Sequence, residues 1–210
     1  MKRLKLGIIG GGPGSWIGHV HRIASRFDDK YEIVAGVFSR NYKINQSFGT
    51  SIGIKKNRCY KNYKDLCYSE KKINNGIDVV AIMTPPGSHQ EIAELFINNN
   101  IHVISDKPFA GSLPQAKKLY KTIKNNKKII IAYEPVWSIG TGIIPKSDDL
   151  FKTISFIKKE KKNYKVLYGG SVNPKNINQL KSINNIDGYL IGGASQDPKK
   201  FIDIIKKTYN

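Results

Sequence analysis

The chain has 210 residues, 40% apolar, 10% aromatic and 24% charged, a globular balance that excludes wholesale disorder. Its apolar runs are too short for a membrane span, Met1-Lys2-Arg3 leads into no signal peptide with a small-residue cleavage site, and Cys59 and Cys67 make neither a disulfide scaffold nor a zinc site, so a reducing cytoplasm and no metal are expected. The formal net charge is +19, from 35 basic and 16 acidic residues, but thirty of the 35 are Lys and they spread along the chain, so no specific nucleic-acid partner is expected.

Short β-branched runs alternate with longer amphipathic stretches. In chain order the spacing predicts strands at 4–9, 32–38, 78–83, 102–105, 129–133, 165–168 and 188–191, with a weaker one near 58–60. Most are continuous apolar runs, the pattern of strands buried on both faces. Helices are predicted at 16–26, 63–72, 89–99, 114–125, 148–160, 174–183 and 198–208. Ser112 followed by Gln115 reads as a capping box. Asn173-Pro174 and Asp197-Pro198 each place a cap before a proline at the first helical position. Strand–helix repetition implies an α/β fold with a parallel sheet. About eight such units suit either a closed (β/α)₈ barrel or an open doubly wound sheet.

Gly10-Gly11-Gly12-Pro13-Gly14-Ser15 follows the first strand and opens the first helix. Gly10 and Gly12 fill the first two positions of a dinucleotide fingerprint, where a tight turn brings backbone N–H groups to a pyrophosphate. The third position is Ser15, which breaks the strict pattern. The second strand ends in Ser39 and Arg40, residues suited either to the extra phosphate of NADP or simply to a polar strand end.

Two more loops carry a resemblance. Thr84-Pro85-Pro86 with Ser88-His89 follows one strand, and Asp106-Lys107-Pro108-Phe109 follows the next. With the glycine loop they resemble the Rossmann domain of the glucose–fructose oxidoreductase / inositol dehydrogenase (Gfo/Idh/MocA) family over about residues 2–126. The resemblance implies a bound NADP or NAD, with Thr84, Pro85 and His89 at the cofactor and Lys107 beside nicotinamide and substrate. The family's substrate domain, with its Asp and His, does not follow in this sequence.

Instead, Tyr133-Glu134-Pro135-Val136-Trp137-Ser138-Ile139-Gly140-Thr141-Gly142 resembles the active-site and lid segment of triose-phosphate isomerase. Tyr168-Gly169-Gly170-Ser171 and Gly192-Gly193-Ala194-Ser195 match that family's seventh and eighth strand loops. The resemblance runs from about residue 129 to the last and implies a phosphorylated triose as substrate. It makes Glu134 the base and Gly140, Ser171, Gly192 and Gly193 the phosphate-binding amides. A carboxylate at a strand end can remove a proton beside a carbonyl, and glycines after strands let amides converge on phosphate. The family's first half is missing, and with it an Asn-x-Lys on strand one and a His on strand four. His19, His21, His89 and His102 do not sit in the required context.

The sequence therefore reads as a Rossmann-type domain, 1–127, followed by three βα units of a (β/α)₈ barrel, 128–210, joined near 126–129. Three function classes stand: an isomerase homologue impaired in turnover, which has the sharper motifs; an NAD(P)-binding oxidoreductase without its substrate domain; and a non-catalytic chimera. A second copy of the chain is a further expected partner. The strand at 129–133 is expected to extend the N-terminal sheet, which stays open rather than closing into a barrel.

Overall fold

The structure, a computed structural model, describes residues 2–124, 129–160 and 164–209, so of the expected junction near 126–129 all but Ile129 lies outside the described residues. β1 (Leu4–Gly10), β2 (Tyr31–Val37), β3 (Val79–Met83) and β4 (His102–Ser105) form a parallel sheet in the order β2-β1-β3-β4. All five residues of β3 are buried, as a central parallel strand requires, whereas β4 alternates between exposed and half-buried positions as an edge.

Alternate side chains feed two cores on opposite faces. Ile9, Val80 and Ile82 pack with Leu66, Phe96 and Leu119 of α3 (Tyr63–Lys72), α4 (His89–Asn98) and α5 (Leu113–Ile123). Ile8, Ala81 and Met83 pack with Phe38 on the other face, beside Ile17 of α1 (Trp16–Ala24) and Phe48 of α2 (Tyr42–Ser51). Because β1 lies between β2 and β3, the chain reverses its winding there. That reversal opens a crevice at the C-terminal ends of β1 and β3.

β5 (Ile130–Tyr133), β6 (Lys165–Tyr168) and β7 (Gly188–Tyr189) make a second parallel sheet in the order β5-β6-β7. With α6 (Ser147–Glu160), α7 (Ile177–Lys181) and α8 (Pro198–Tyr209) they enclose a core of their own, built on Leu150, Ile154, Val166, Tyr168, Ile177, Leu180 and Ile204. The described chain thus divides into two compact units, Met1–Asn125 and Asn126–Asn210.

Several expectations need correction. β5 does not extend the first sheet: its residues register against 165–168 of β6, the strand that the α6 crossover delivers beside it. α2 is absent from the predicted helices, and α7 begins at Ile177 rather than at Pro174: residues 174–176 form a separate turn, which Asn173 caps by accepting from the N–H groups of Lys175 and Asn176. The weak strand near 58–60 is one isolated bridge, Gly36 to Cys59. Asp197 does cap α8 ahead of Pro198, accepting from the N–H groups of Lys199 and Lys200. No helix among the described residues is long and apolar enough to cross a membrane.

Candidate functional site

The glycine turn lies against the ends of two strands. Gly10 and Gly11 have φ of 85° and 63°, the left-handed region that glycine enters without steric cost. A Cβ at Gly10 would lie 2.5 Å from the Met83 carbonyl oxygen at the end of β3, and one at Gly12 would lie 2.1 Å from the Phe38 carbonyl oxygen just past β2. The loop therefore fits only as bare backbone. Ser15 caps α1, its Oγ accepting from the Gly18 N–H at 3.1 Å. Gly18 does the close-packing work expected of a third fingerprint glycine, since a Cβ there would strike Gly11 O at 2.2 Å. Arg22 Nη1 donates to Gly11 O at 2.6 Å, and its guanidinium sits 5.1 Å over the Phe48 ring.

Beyond β2, Ser39 Oγ accepts from the Asn41 N–H at 3.1 Å, and Asn41 in turn caps α2. Arg40 is exposed and its guanidinium has no partner among the described residues. Pro13, Lys43, Ser47 and Phe48 line an open groove of about 420 Å³ between the glycine turn and α2.

The loops after β3 and β4 complete the crevice. Thr84 Oγ1 accepts from Ser88 Oγ at 2.8 Å, and Pro85 is exposed. Lys107 is exposed and precedes a cis bond to Pro108, while its ammonium group has no partner among the described residues. His89 differs from expectation. It is 1% exposed, and its ring nitrogens face the Pro108 carbonyl oxygen at 2.7 Å and the Thr84 carbonyl oxygen at 2.5 Å. The ring is turned to backbone and offers no nitrogen to a ligand.

In the second unit, Glu134 follows β5 and lies over Gly169, where a Cβ would come within 2.9 Å of Glu134 Cγ and 3.3 Å of Oε1. Its half-buried carboxylate takes no hydrogen bond among the described residues. The segment after it is tied to the loop after β6. Gly142 N–H donates to Ser171 Oγ at 2.9 Å, and Ser171 Oγ donates to Ser138 O at 2.5 Å. The buried Ser138 Oγ donates to Ile143 O at 2.5 Å and lies 3.1 Å from Tyr168 Oη. Burial raises the Tyr168 phenol, and the Ser138 hydrogen bond offsets part of that rise. Ser171 holds φ of 47°, a strained value for a residue with a side chain, while the carboxamides of Asn173 and Asn176 grip its carbonyl oxygen at 3.0 and 2.9 Å. Gly140 has φ of 72°; Gly192 and Gly193 lead into a 3₁₀ turn, Gly193–Gln196, after β7.

Against family models, residues 4–134 match the oxidoreductase family with an NAD-binding Rossmann fold. The chain belongs to that family. Residues 106–208 match triosephosphate isomerase. An uncharacterized oxidoreductase, YfiI of Bacillus subtilis, is 33% identical over 130 residues, 61% of this chain and 33% of its own length. Triosephosphate isomerase of Mesomycoplasma hyopneumoniae strain 232 is 51% identical over 86 residues, 40% of this chain and 36% of its own. An inositol dehydrogenase homologue from Azotobacter vinelandii, solved with NAD+, superimposes with a TM-score of 0.59 at 25% identity, covering 77% of this chain and 39% of its own. The chain thus spans about a third of the length of the curated relatives it matches.

Within this oxidoreductase-family unit the structure gathers Gly10, Gly12, Ser39, Arg40, Thr84, Pro85 and Lys107 at strand ends of one sheet. Gly18 and Arg22 were not singled out from the sequence. A glycine in the first turn of the helix after a glycine loop was the available signal for Gly18. None pointed to Arg22, one of five arginines among 35 basic residues. Glu134 and Ser171 belong to the second unit, at the ends of β5 and β6.

Proposed function

We propose that the chain binds a nicotinamide dinucleotide through its N-terminal unit, NADP in preference to NAD, as the nucleotide-binding domain of an oxidoreductase. The observation that carries this reading is the turn at Gly10–Gly12. Side chains are excluded from it by backbone on both sides, it sits where the sheet reverses its winding, and it runs straight into α1. In this reading Gly10 and Gly12 admit the pyrophosphate. Ser39 and Arg40 face the ribose and its 2′-phosphate, Thr84 and Pro85 border the nicotinamide side, and Lys107 reaches the reacting end. The dinucleotide supplies hydride chemistry; the chain's residues bind it and orient it. Fluorescence titration with NADPH and NADH tests the reading. NADPH is expected to bind more tightly, and Arg40→Ala is expected to level the two. No binding of either at millimolar concentration overturns it.

A second reading rests on Glu134 lying over Gly169 and on the tie between Gly142 and Ser171. It gives the C-terminal unit affinity for a phosphorylated triose, with Gly140, Ser171, Gly192 and Gly193 supplying amides and Glu134 the base. The cationic and neutral donors that stabilise the developing oxyanion come, in the resembled family, from a half with no counterpart here. Loss of one such donor typically costs about 10²–10³ in rate, so turnover is expected to be slight. A coupled isomerase assay with Glu134→Gln as control tests this. Turnover within about tenfold of an ordinary isomerase, abolished by that substitution, shows that the missing donors have been replaced.

A further inference from the structure

The loops after β3 and β4 are joined by more than proximity. His89, the first residue of α4, spans the Thr84 carbonyl of its own loop and the Pro108 carbonyl of the next. A neutral imidazole donates to one of these carbonyls; the imidazolium donates to both. Gln115 of α5 makes a second bridge, its Nε2 donating to Gly87 O at 2.8 Å while its Oε1 accepts from the Gly111 N–H at 3.0 Å. Between the two bridges the backbones themselves touch. A Cβ at Gly111 would lie 2.9 Å from Gly87 Cα and 3.0 Å from Gly87 N. Three contacts therefore hold residues 84–88 against residues 106–111. Lys107, whose own side chain is free among the described residues, stands one residue from the Pro108 carbonyl in that clamped loop.

We infer that His89 and Gln115 are positioning residues that clamp the β4 loop to the β3 loop and so set where Lys107 stands relative to Thr84 and Pro85. The inference rests on the dinucleotide reading for its functional consequence, but the clamp itself is a property of the two loops. His89 acts from behind the site, through Thr84 and Pro108, and not by touching a ligand. The close approach explains why glycine stands at position 111: the neighbour of any side chain added there is the backbone of Gly87, which cannot turn away.

Amide hydrogen exchange on the full chain, with NADPH titration alongside, tests the clamp. His89→Phe fills the ring's volume without a donor, His89→Gln restores one donor, and Gly111→Ala pushes the loops apart with His89 intact. Exchange over 106–112 is expected to rise about tenfold in His89→Phe and Gly111→Ala, the scale of one lost hydrogen bond, with 8–15 unchanged and His89→Gln between. NADPH affinity is expected to fall by about the same factor. If His89→Phe does not fold, His89→Gln and Gly111→Ala decide: wild-type exchange over 106–112 in both overturns the clamp, as it does in a folded His89→Phe. Faster exchange over 106–112 in a chain that binds no NADPH at all keeps the clamp and overturns the dinucleotide reading. NADPH affinity unchanged despite loosened loops overturns the positioning role.

Discussion

Arg22 donates to the carbonyl oxygen of Gly11 at 2.6 Å, fastening the helix after the glycine turn back onto the turn itself. Burial, with the neighbouring Arg26 adding to it, lowers the Arg22 pKa without discharging it. The same guanidinium stacks over Phe48 of α2, so one side chain braces the turn and the following helix layer together. Arg22→Lys is expected to keep the charge and lose the combined geometry. A loss of about 1–2 kcal/mol in urea denaturation is expected, with weaker NADPH binding. Unchanged stability and affinity would show that the turn holds its shape by glycine alone.

Glu70 lies buried in the first unit, its side chain 0% exposed. It accepts from Nε and Nη2 of Arg58, from Tyr60 Oη at 2.7 Å and from the Ile77 N–H at 3.1 Å. Burial, then the Glu70 carboxylate beside it, holds the Tyr60 phenol above its ordinary range. Glu70→Gln leaves Arg58 facing no anion and is expected to cost about 3–5 kcal/mol. Removing both partners, as Glu70→Gln with Arg58→Met, is expected to cost less than the two single losses summed. Denaturation midpoints of the four proteins form the cycle, and simple additivity contradicts the coupling.

Asp187 is a partly buried carboxylate of the second unit whose pKa is held down. Burial alone raises its pKa, but the hydrogen bond from Lys158, the Val166 N–H at 2.8 Å and Lys165 together outweigh that and hold it below the ordinary value of 3.8. A carboxylate depressed in the folded state contributes stability that is full above its unfolded pKa and is lost as pH falls through the folded one. The wild type is therefore expected to exceed Asp187→Asn in stability at neutral pH and to lose that margin below about pH 4. Circular dichroism melts at pH 7 and pH 3 check this. A margin that is constant or widens on acidification contradicts the sign.

Ser171 closes the segment after Glu134 by accepting from Gly142 and donating to Ser138. Ser171→Ala removes both bonds and is expected to speed amide exchange over 136–143 about tenfold, leaving β6 protected. Ser171→Gly, by contrast, also relieves the positive φ, so its loss of stability is expected to be the smaller of the two. Equal stabilities would show that the backbone strain is negligible.

Much of this architecture is written locally. β3 was legible because a parallel strand covered on both faces has to be apolar along its length, and β6 because the run Val166-Leu167-Tyr168 is apolar and aromatic. The start of α8 was legible because Asp197, just before Pro198, turns its side chain to free N–H groups in the first turn. The glycine turn and the Glu134 segment carried their family resemblances in residue types at fixed spacing.

Partners distant in the chain were not legible, since spacing says nothing of which atoms meet. α2 is polar and rich in residues that compete with helical hydrogen bonds, and it forms because Asn45 accepts from the Phe38 N–H and donates to the Tyr60 carbonyl while Phe48 meets Phe38 edge to face. Gln115 could have closed a capping box on Ser112, but its side chain serves Gly87 and Gly111 instead. β5 fits either sheet by composition, and only the strand beside it decided that it opens the second. His89 sits in a loop motif that suggests contact with a ligand, yet two carbonyls brought together by folding claim both its nitrogens. The sequence by itself determined most strands and helices and the loop motifs at their ends, because those depend on neighbours a few residues away. The tertiary structure decided which polar side chains are spent on backbone, as those of His89 and Gln115 are, because a buried polar atom takes whichever partner the packed chain presents.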